Sequence, residues 1–259
     1  MTSPISLSPI NPGRTLGSRT LLFLKNINKI TWEINGEKGN YSRKTENAGD
    51  HHWVTLYQDD KEHEKWLKFQ SRIHNDEQNR VIEVAYLVNE DDGKKRIVPS
   101  KDTKLVVYFP TEQETHLNFL IHGPYNTTAT RENIVDNDAW NNFLIEQTGQ
   151  LVASTITKVK SLGLLDVSFL NTLPIRTEEF SNENNLFKPI YNTVRQKLKS
   201  EEEVLPADDG SYVSANNALL ARGEKLRGLL TGEQLRILFN KVKWLDKEIT
   251  QDKTPLLRE

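Results

Sequence analysis

The ten residues 124–133, PYNTTATREN, gather three hydroxyls, Thr127, Thr128 and Thr130, around the guanidinium of Arg131. Such side chains suit a phosphate: the planar fork of arginine makes two parallel charge-assisted hydrogen bonds, and hydroxyls add neutral donors. The same residues suit a plain turn, in which Arg131 pairs with Glu132 or Asp136. The glycine spacing that cradles a nucleotide is missing, since neither GxxxxGK[ST] nor GxGxxG occurs. The GxSxG elbow of serine nucleophiles is missing too.

Other candidate groups are more scattered. None of the 6 histidines forms HxxxH or HExxH. His51 and His52 stand beside Asp50 and could hold a metal, but adjacent side chains on a strand point apart, which suits a polar loop better. Glu83 lies in an apolar stretch with Lys94 and Lys95 nearby, which resembles the acidic strand of metal-dependent nucleases. That chemistry needs an Asp together with a Glu-x-Lys strand, and the set is incomplete. No metal site is assigned. Acidic runs such as Asp59-Asp60 and 201–203 read as solvated surface.

Composition narrows the classes. The 259 residues allow one large domain or two smaller ones, with 36% hydrophobic and 27% charged residues, as folded proteins have. A net charge of −2 does not indicate nucleic-acid binding. With 0 cysteines there are no disulfides, thiolate nucleophiles or Cys-based metal sites. Residues 1–18 have no basic stretch followed by an apolar run, so no secretory signal is read there. No run approaches the roughly 20 apolar residues of a membrane helix. The expectation is a cytoplasmic protein without membrane partners.

The candidate residues must be positioned by elements of two periods. Residues 1–18, rich in Ser, Pro and Gly, read as a flexible lead-in or linker. Period-two alternation then predicts strands through Ile30-x-Trp32-x-Ile34, Trp53 to Tyr57, Lys65 to Ile73 and Val81 to Val88. Shorter strands are predicted at Ile97-Val98, Leu105 to Phe109 and His116 to His122, the last ended by Gly123-Pro124. Asn35-Gly36, Gly39-Asn40 and Asp91-Asp92-Gly93 read as turns. From Trp140 to Val159 the apolar spacing becomes helical, with Asp136, Asn137 and Asp138 as start signals and Gly163 as the stop. Further on, a helix is predicted over Leu186 to Leu198, a hairpin about Asp208-Asp209-Gly210, and a short helix from Thr231 with Gln234 completing a capping box. The expected fold is α+β: a mixed or antiparallel sheet with packed helices over 19–163, then a smaller α+β region over 164–259.

Four stretches together carry a family resemblance: LLFLKNINKITWEI (21–34), LVVYFPTEQETHLNFLIHGPYNTTATRENI (105–134), LLARGEKLRGLL (219–230) and WLDKEITQDKTPLLRE (244–259). The chain resembles bacterial sacsin-type proteins with a histidine-kinase-like (GHKL) ATPase domain, distant relatives of the ninety-kilodalton heat-shock chaperone. It matches the region after the ATP-binding domain, and the likeness implies a fold like the chaperone's middle domain. It implies no cofactor in this chain; ATP and magnesium belong to an upstream GHKL domain, in the same polypeptide or a separate chain. In the relatives a Ser-Arg-Glu triplet entering a helix supplies an arginine to the γ-phosphate. Thr130-Arg131-Glu132 is similar to it, so the likeness implies an ATP-sensing role for Arg131, with Thr127, Thr128 and Thr130 beside the phosphates. The relatives' assisting glutamine has no counterpart, and Val135 lies near its place. The family continues past the position of Glu259, so a truncated C-terminal region is expected.

The functional expectation is a non-catalytic transducer and interaction module of a chaperone-like ATPase, with protein clients as further partners. An independent interaction module using Trp32, Trp53 and Trp66 is the alternative, and a nuclease-like enzyme built on Glu83 a more distant one.

Overall fold

The computed structural model describes residues 17–74, 76–175, 177–182, 185–221 and 224–249. Most of the predicted lead-in, 1–16, and most of the final quoted stretch, 250–259, lie outside the described residues.

The first half of the chain builds one nine-stranded mixed sheet. A 3-10 helix at Ser18–Leu22 precedes β1 (Lys29–Ile34), β2 (Glu37–Asn47), β3 (His51–Gln58), β4 (Lys61–Arg72) and β5 (Val81–Asp91), which form an antiparallel meander. β6 (Lys94–Val98) returns on the far half of β5. β7 (Lys104–Val107), β8 (Phe109–Glu114) and β9 (Leu120–His122) complete the sheet, with β9 inserted between β5 and β7. The β7–β9 pairing is parallel, which makes the sheet mixed.

The Asn35-Gly36 turn has positive φ at both residues, 52° and 85°, the conformation that two-residue hairpins need. Asp92-Gly93 repeats it with 49° and 74°. Gly39-Asn40 is not a turn but lies inside β2. The predicted strand over Leu105 to Phe109 breaks at Tyr108, whose φ of 61° reverses the chain so that Val107 pairs with Phe109. The strand predicted from His116 shrinks to Leu120–His122.

The second half is mostly helical. α1 (Ala139–Ser161) begins at Asp138, whose side chain accepts from the Asn141 N–H. It ends before Gly163, at φ 70°. α2 (Val167–Thr172), α3 (Thr177–Phe180) and α4 (Lys188–Leu198) follow. Next come the two-stranded pair β10 (Leu205–Pro206) and β11 (Tyr212–Val213), then β12 (Ala218–Leu219) and α5 (Glu224–Arg227). α6 (Gly232–Phe239) starts with the full capping box of Thr231 and Gln234. β13 (Lys243–Trp244) pairs in parallel with β12.

The two faces of the sheet bury different clusters. One face, through Leu67, Phe69, Val84, Tyr86 and Ile121, packs on α1, and the same cluster continues through α2 and α4 to Leu245 and Ile249. Buried hydroxyls tie this face together: Tyr86 to Thr155 at 2.7 Å and Tyr125 to Thr148 at 3.1 Å. Burial pushes the Tyr125 phenol up to about 12. The opposite face, through Val54, Leu56, Trp66, Ala85 and Leu120, is covered by Leu21, Leu22 and Phe23 of the 3-10 segment. α1 also meets α4 closely, because a Cβ at Gly149 would stand 3.3 Å from the Ile190 Cα.

Candidate functional site

The loop carrying Arg131 leaves β9 at His122. Gly123 is required there, since a Cβ would meet the Tyr125 ring at 2.8 Å. Residues 126–135 then fold into a small hairpin of their own. Thr127 and Ile134 form an antiparallel bridge, the Thr128 N–H donates to the Asn133 carbonyl at 2.9 Å, and the Val135 N–H donates to the Asn126 carbonyl at 2.9 Å. At the tip the Arg131 N–H donates to the Thr128 carbonyl at 2.9 Å, and Arg131 takes φ 57°. A side chain rarely adopts that region outside Gly, Asn and Asp, so the tip holds a conformation its neighbours impose.

One side chain fastens this hairpin to α1. The Asn141 side chain is fully buried. Its Oδ1 accepts the Asn126 N–H at 2.7 Å, and its Nδ2 donates to the carbonyls of Asn126 at 2.9 Å and Val135 at 3.0 Å. Asp138 caps α1 and also accepts from Asn126 Nδ2 at 3.2 Å. The Asn141 N–H and the Asn126 side chain hold the Asp138 carboxyl below its ordinary value. Trp140 adds an indole donor to the Pro124 carbonyl at 2.9 Å. On the other side the Glu112 N–H of β8 donates to the Glu132 carbonyl at 2.7 Å. The hairpin is thus held at its base by α1 and beside its tip by β8.

Of the residues singled out in the sequence, Thr130 and Arg131 are exposed at the tip, and Thr127 and Thr128 are half-buried in the stem. The Thr128 hydroxyl lies 3.2 Å from the Asn133 carbonyl and 3.2 Å from the Thr130 hydroxyl. Thr128, Thr130 and Arg131 therefore share one projection, while Thr127 faces Ile134 across its base. Replacing Asn141 with alanine is expected to cost about 2 kcal/mol, because the Asn126 N–H and the Val135 carbonyl lose their partner while the Asn126 carbonyl keeps the Val135 N–H. Asn141→Asp is expected not to rescue it, since a carboxylate cannot donate to the two carbonyls. Urea unfolding of the three proteins measures both.

A second cluster is buried on the sheet face beneath the 3-10 segment. Lys68 of β4, Glu83 of β5 and His122 of β9 are 9%, 2% and 2% exposed. Lys68 Nζ stands 2.8 Å from Glu83 Oε1 and also donates to the Leu22 carbonyl at 3.3 Å. His122 Nδ1 lies 3.1 Å from Glu83 Oε2 without hydrogen-bond alignment, and Nε2 has no hydrogen-bond partner among the described residues. The imidazole stacks on Phe23 at 5.1 Å and takes the edge of Tyr108 at 5.4 Å. Burial raises the Glu83 pKa, but His122 and Lys68 outweigh it, so the carboxyl sits below its usual value.

Glu83 does not share a site with the two lysines that the sequence places near it. Lys94 and Lys95 pair with Asp91 and Glu90 at the far end of β5, away from Glu83. Among the described residues no three of His, Cys, Asp and Glu are placed to hold a metal. His51 and His52 point apart: His51 packs on Phe69 and Trp53, while His52 bonds Asn47 at 2.7 Å. The expected tryptophan patch also dissolves. Trp66 is fully buried, Trp53 is half-buried beneath Lys95 Nζ at 4.4 Å, and Trp32 is half-buried over Gly39.

No family model matches the chain, and neither curated proteins nor solved structures gave a match.

Proposed function

We propose that the chain is a non-catalytic transducer and interaction module of a chaperone-like GHKL ATPase. Arg131 meets the phosphates of ATP bound by another domain, and α1 carries the contact onward. The observation that carries this reading is the exposed Arg131 tip on a hairpin whose base Asn141 fastens to α1 and whose Glu132 carbonyl β8 holds. A loop that only closes a turn needs no such bracing, whereas an arginine offered to a phosphate must be held in position before the phosphate arrives. Thr128 and Thr130 stand beside it to bond the same oxygens. ATP and magnesium belong to the partner domain, and protein clients are further partners. Among the described residues no helix is long and apolar enough to cross a membrane, and a cytoplasmic setting fits this reading.

The test is to add the purified chain to the GHKL domain it serves and follow phosphate release, with ATP and magnesium titrated into the chain alone by calorimetry. Stimulated turnover in the mixture, with no heat of binding in the chain alone, is expected. Turnover by the chain alone, or a mixture no faster than the GHKL domain, overturns the reading.

A second reading, an interaction module with no nucleotide role, draws on the apolar residues around α5 and α6. Leu229, Ile237 and Leu238 are 68%, 75% and 62% exposed, more than isolated surface apolar residues need explain. Client binding that is indifferent to ATP and to Arg131→Ala would favour it.

A further inference from the structure

β1 is the first strand of the sheet and pairs on one side only, with β2. Its register to β2 runs from Lys29↔Ser42 to Ile34↔Glu37 with no bulge. The devices that usually blunt an edge, a proline, a bulge or a lysine at its centre, are absent from KITWEI.

The parity of the backbone is fixed by one bond outside the ladder: the Arg43 N–H donates to the Asn28 carbonyl at 2.9 Å. Alternation then turns the backbone groups of Ile30, Trp32 and Ile34 toward β2, and those of Lys29, Thr31 and Glu33 outward. These last three side chains are all exposed. The charges of Lys29 and Glu33 stand symmetrically about the neutral Thr31.

We infer that β1 pairs antiparallel with β1 of a second copy, about a twofold axis at Thr31. In this register Thr31 meets Thr31, and Lys29 meets Glu33 of the second copy on both sides of the axis, so every outward backbone group finds a partner. Ile30 then faces the second copy's Trp32, a β-branched and aromatic cross-strand pair. A shift by two residues in either direction loses both charge pairs and leaves outward groups unpaired. The contact is self-complementary, as a twofold interface must be. Within one copy Lys29 lies 3.7 Å from Asp60, and Glu33 lies 3.2 Å from Lys38, with all four side chains more than half exposed. Pairs so exposed are weak and exchange readily. This association is independent of the nucleotide reading.

Two short strands bury little area, so a dissociation constant on the order of 100 micromolar is expected. Sedimentation equilibrium over a concentration series bracketing that value reads it directly. Lys29→Glu and Glu33→Lys each set like charges opposite one another twice and are each expected to weaken association about tenfold or more. Mixed in equal amounts, they form a heterodimer with both charge pairs restored, and association returns. Thr31→Pro removes an outward N–H without touching the β2 ladder, so the monomer keeps its circular dichroism spectrum while association is lost. A wild-type protein that stays monomeric overturns the inference, even if it captures an extended peptide on this edge. So do single variants that associate like the wild type, or a mixture that stays monomeric.

Discussion

Arg131→Ala is expected to slow ATP turnover by the assembled ATPase about a thousandfold, in the range found when a phosphate-contacting arginine is removed from a transferring site. In the proposed role the guanidinium would stabilise charge that develops on the γ-phosphoryl group, so the expected loss belongs in kcat, with ATP affinity little changed. The tip makes the experiment clean. Arg131 sits at φ 57°, and alanine is no better suited to that conformation than arginine, whereas asparagine tolerates it. Arg131→Asn therefore holds the tip in place without the fork. If the Ala and Asn variants lose turnover equally, the loss belongs to the guanidinium; if Asn restores it, the role of Arg131 is only to shape the turn. Arg131→Lys, which keeps the charge without the bidentate geometry, is expected to fall between. Steady-state kinetics on the four proteins decides, and undiminished turnover in the Ala variant would remove Arg131 from the mechanism.

Lys68→Met is expected to cost about 3–5 kcal/mol at neutral pH, the largest stability loss predicted for a single change, because it leaves the Glu83 carboxylate buried without its main cation. Changing both residues, to Lys68→Met with Glu83→Gln, is expected to recover most of that loss, since no buried charge then remains unpaired. The pH dependence separates this from lost packing. In the wild type the Glu83 pKa is lowered by His122 and Lys68 against its burial. The stability it contributes is therefore complete above the unfolded value of about 4.3 and disappears as pH falls through the lower folded value. Without Lys68 the carboxyl titrates higher and escapes its penalty by taking a proton. The deficit of Lys68→Met should thus shrink steadily from pH 7 to pH 4 in urea unfolding. A deficit constant with pH would assign the loss to the lysine stem rather than its charge.

The features that could be read from the sequence were those set by local chemistry. The Asn35-Gly36 and Asp92-Gly93 turns, the Asp138 cap, the Gly163 stop and the Thr231–Gln234 capping box each depend on residues within a few positions of one another. β2, EKGNYSRKTEN, was hidden because it carries almost no apolar residue; it is a strand because β1 and β3 pair with its two edges. Gly39 imitates a turn signal there, yet its role is to leave room for the Trp32 ring, which would lie 2.4 Å from any Cβ. Tyr108 could not be recognised as a reversal, since nothing in LVVYF marks a residue with positive φ. The Arg131 loop stood out by composition, but Asn141, the residue that braces it, gave no signal beyond its place one turn into a helix. The Lys68, Glu83 and His122 cluster exists only through strand pairing: Glu83 opposes His122 in register, and Lys68 is diagonal to it on the next strand. Residues 15 and 39 positions apart meet there, and no periodicity within a segment reports such a meeting.

α1 has 23 residues, which makes it about 34 Å long. Its first turn holds the Arg131 hairpin through Asn141, and at Gly149 its backbone rests against α4. A rod held at one end and seated on a fulcrum near its middle passes a movement of one end to the other at about equal size and in the opposite sense. A tilt of about 5° about that fulcrum moves each end, roughly 17 Å away, through about 1.5 Å, about a quarter of the helical pitch. The glycine lets α1 and α4 meet closely, with the Ile190 backbone and the Thr193 side chain against it, so little side-chain packing lies between them to absorb such a tilt. Under the transducer reading the substitution to watch is Gly149→Ala, whose Cβ would push α4 back by a few tenths of an ångström and is expected to lower turnover of the assembled ATPase while the Arg131 hairpin stays in place.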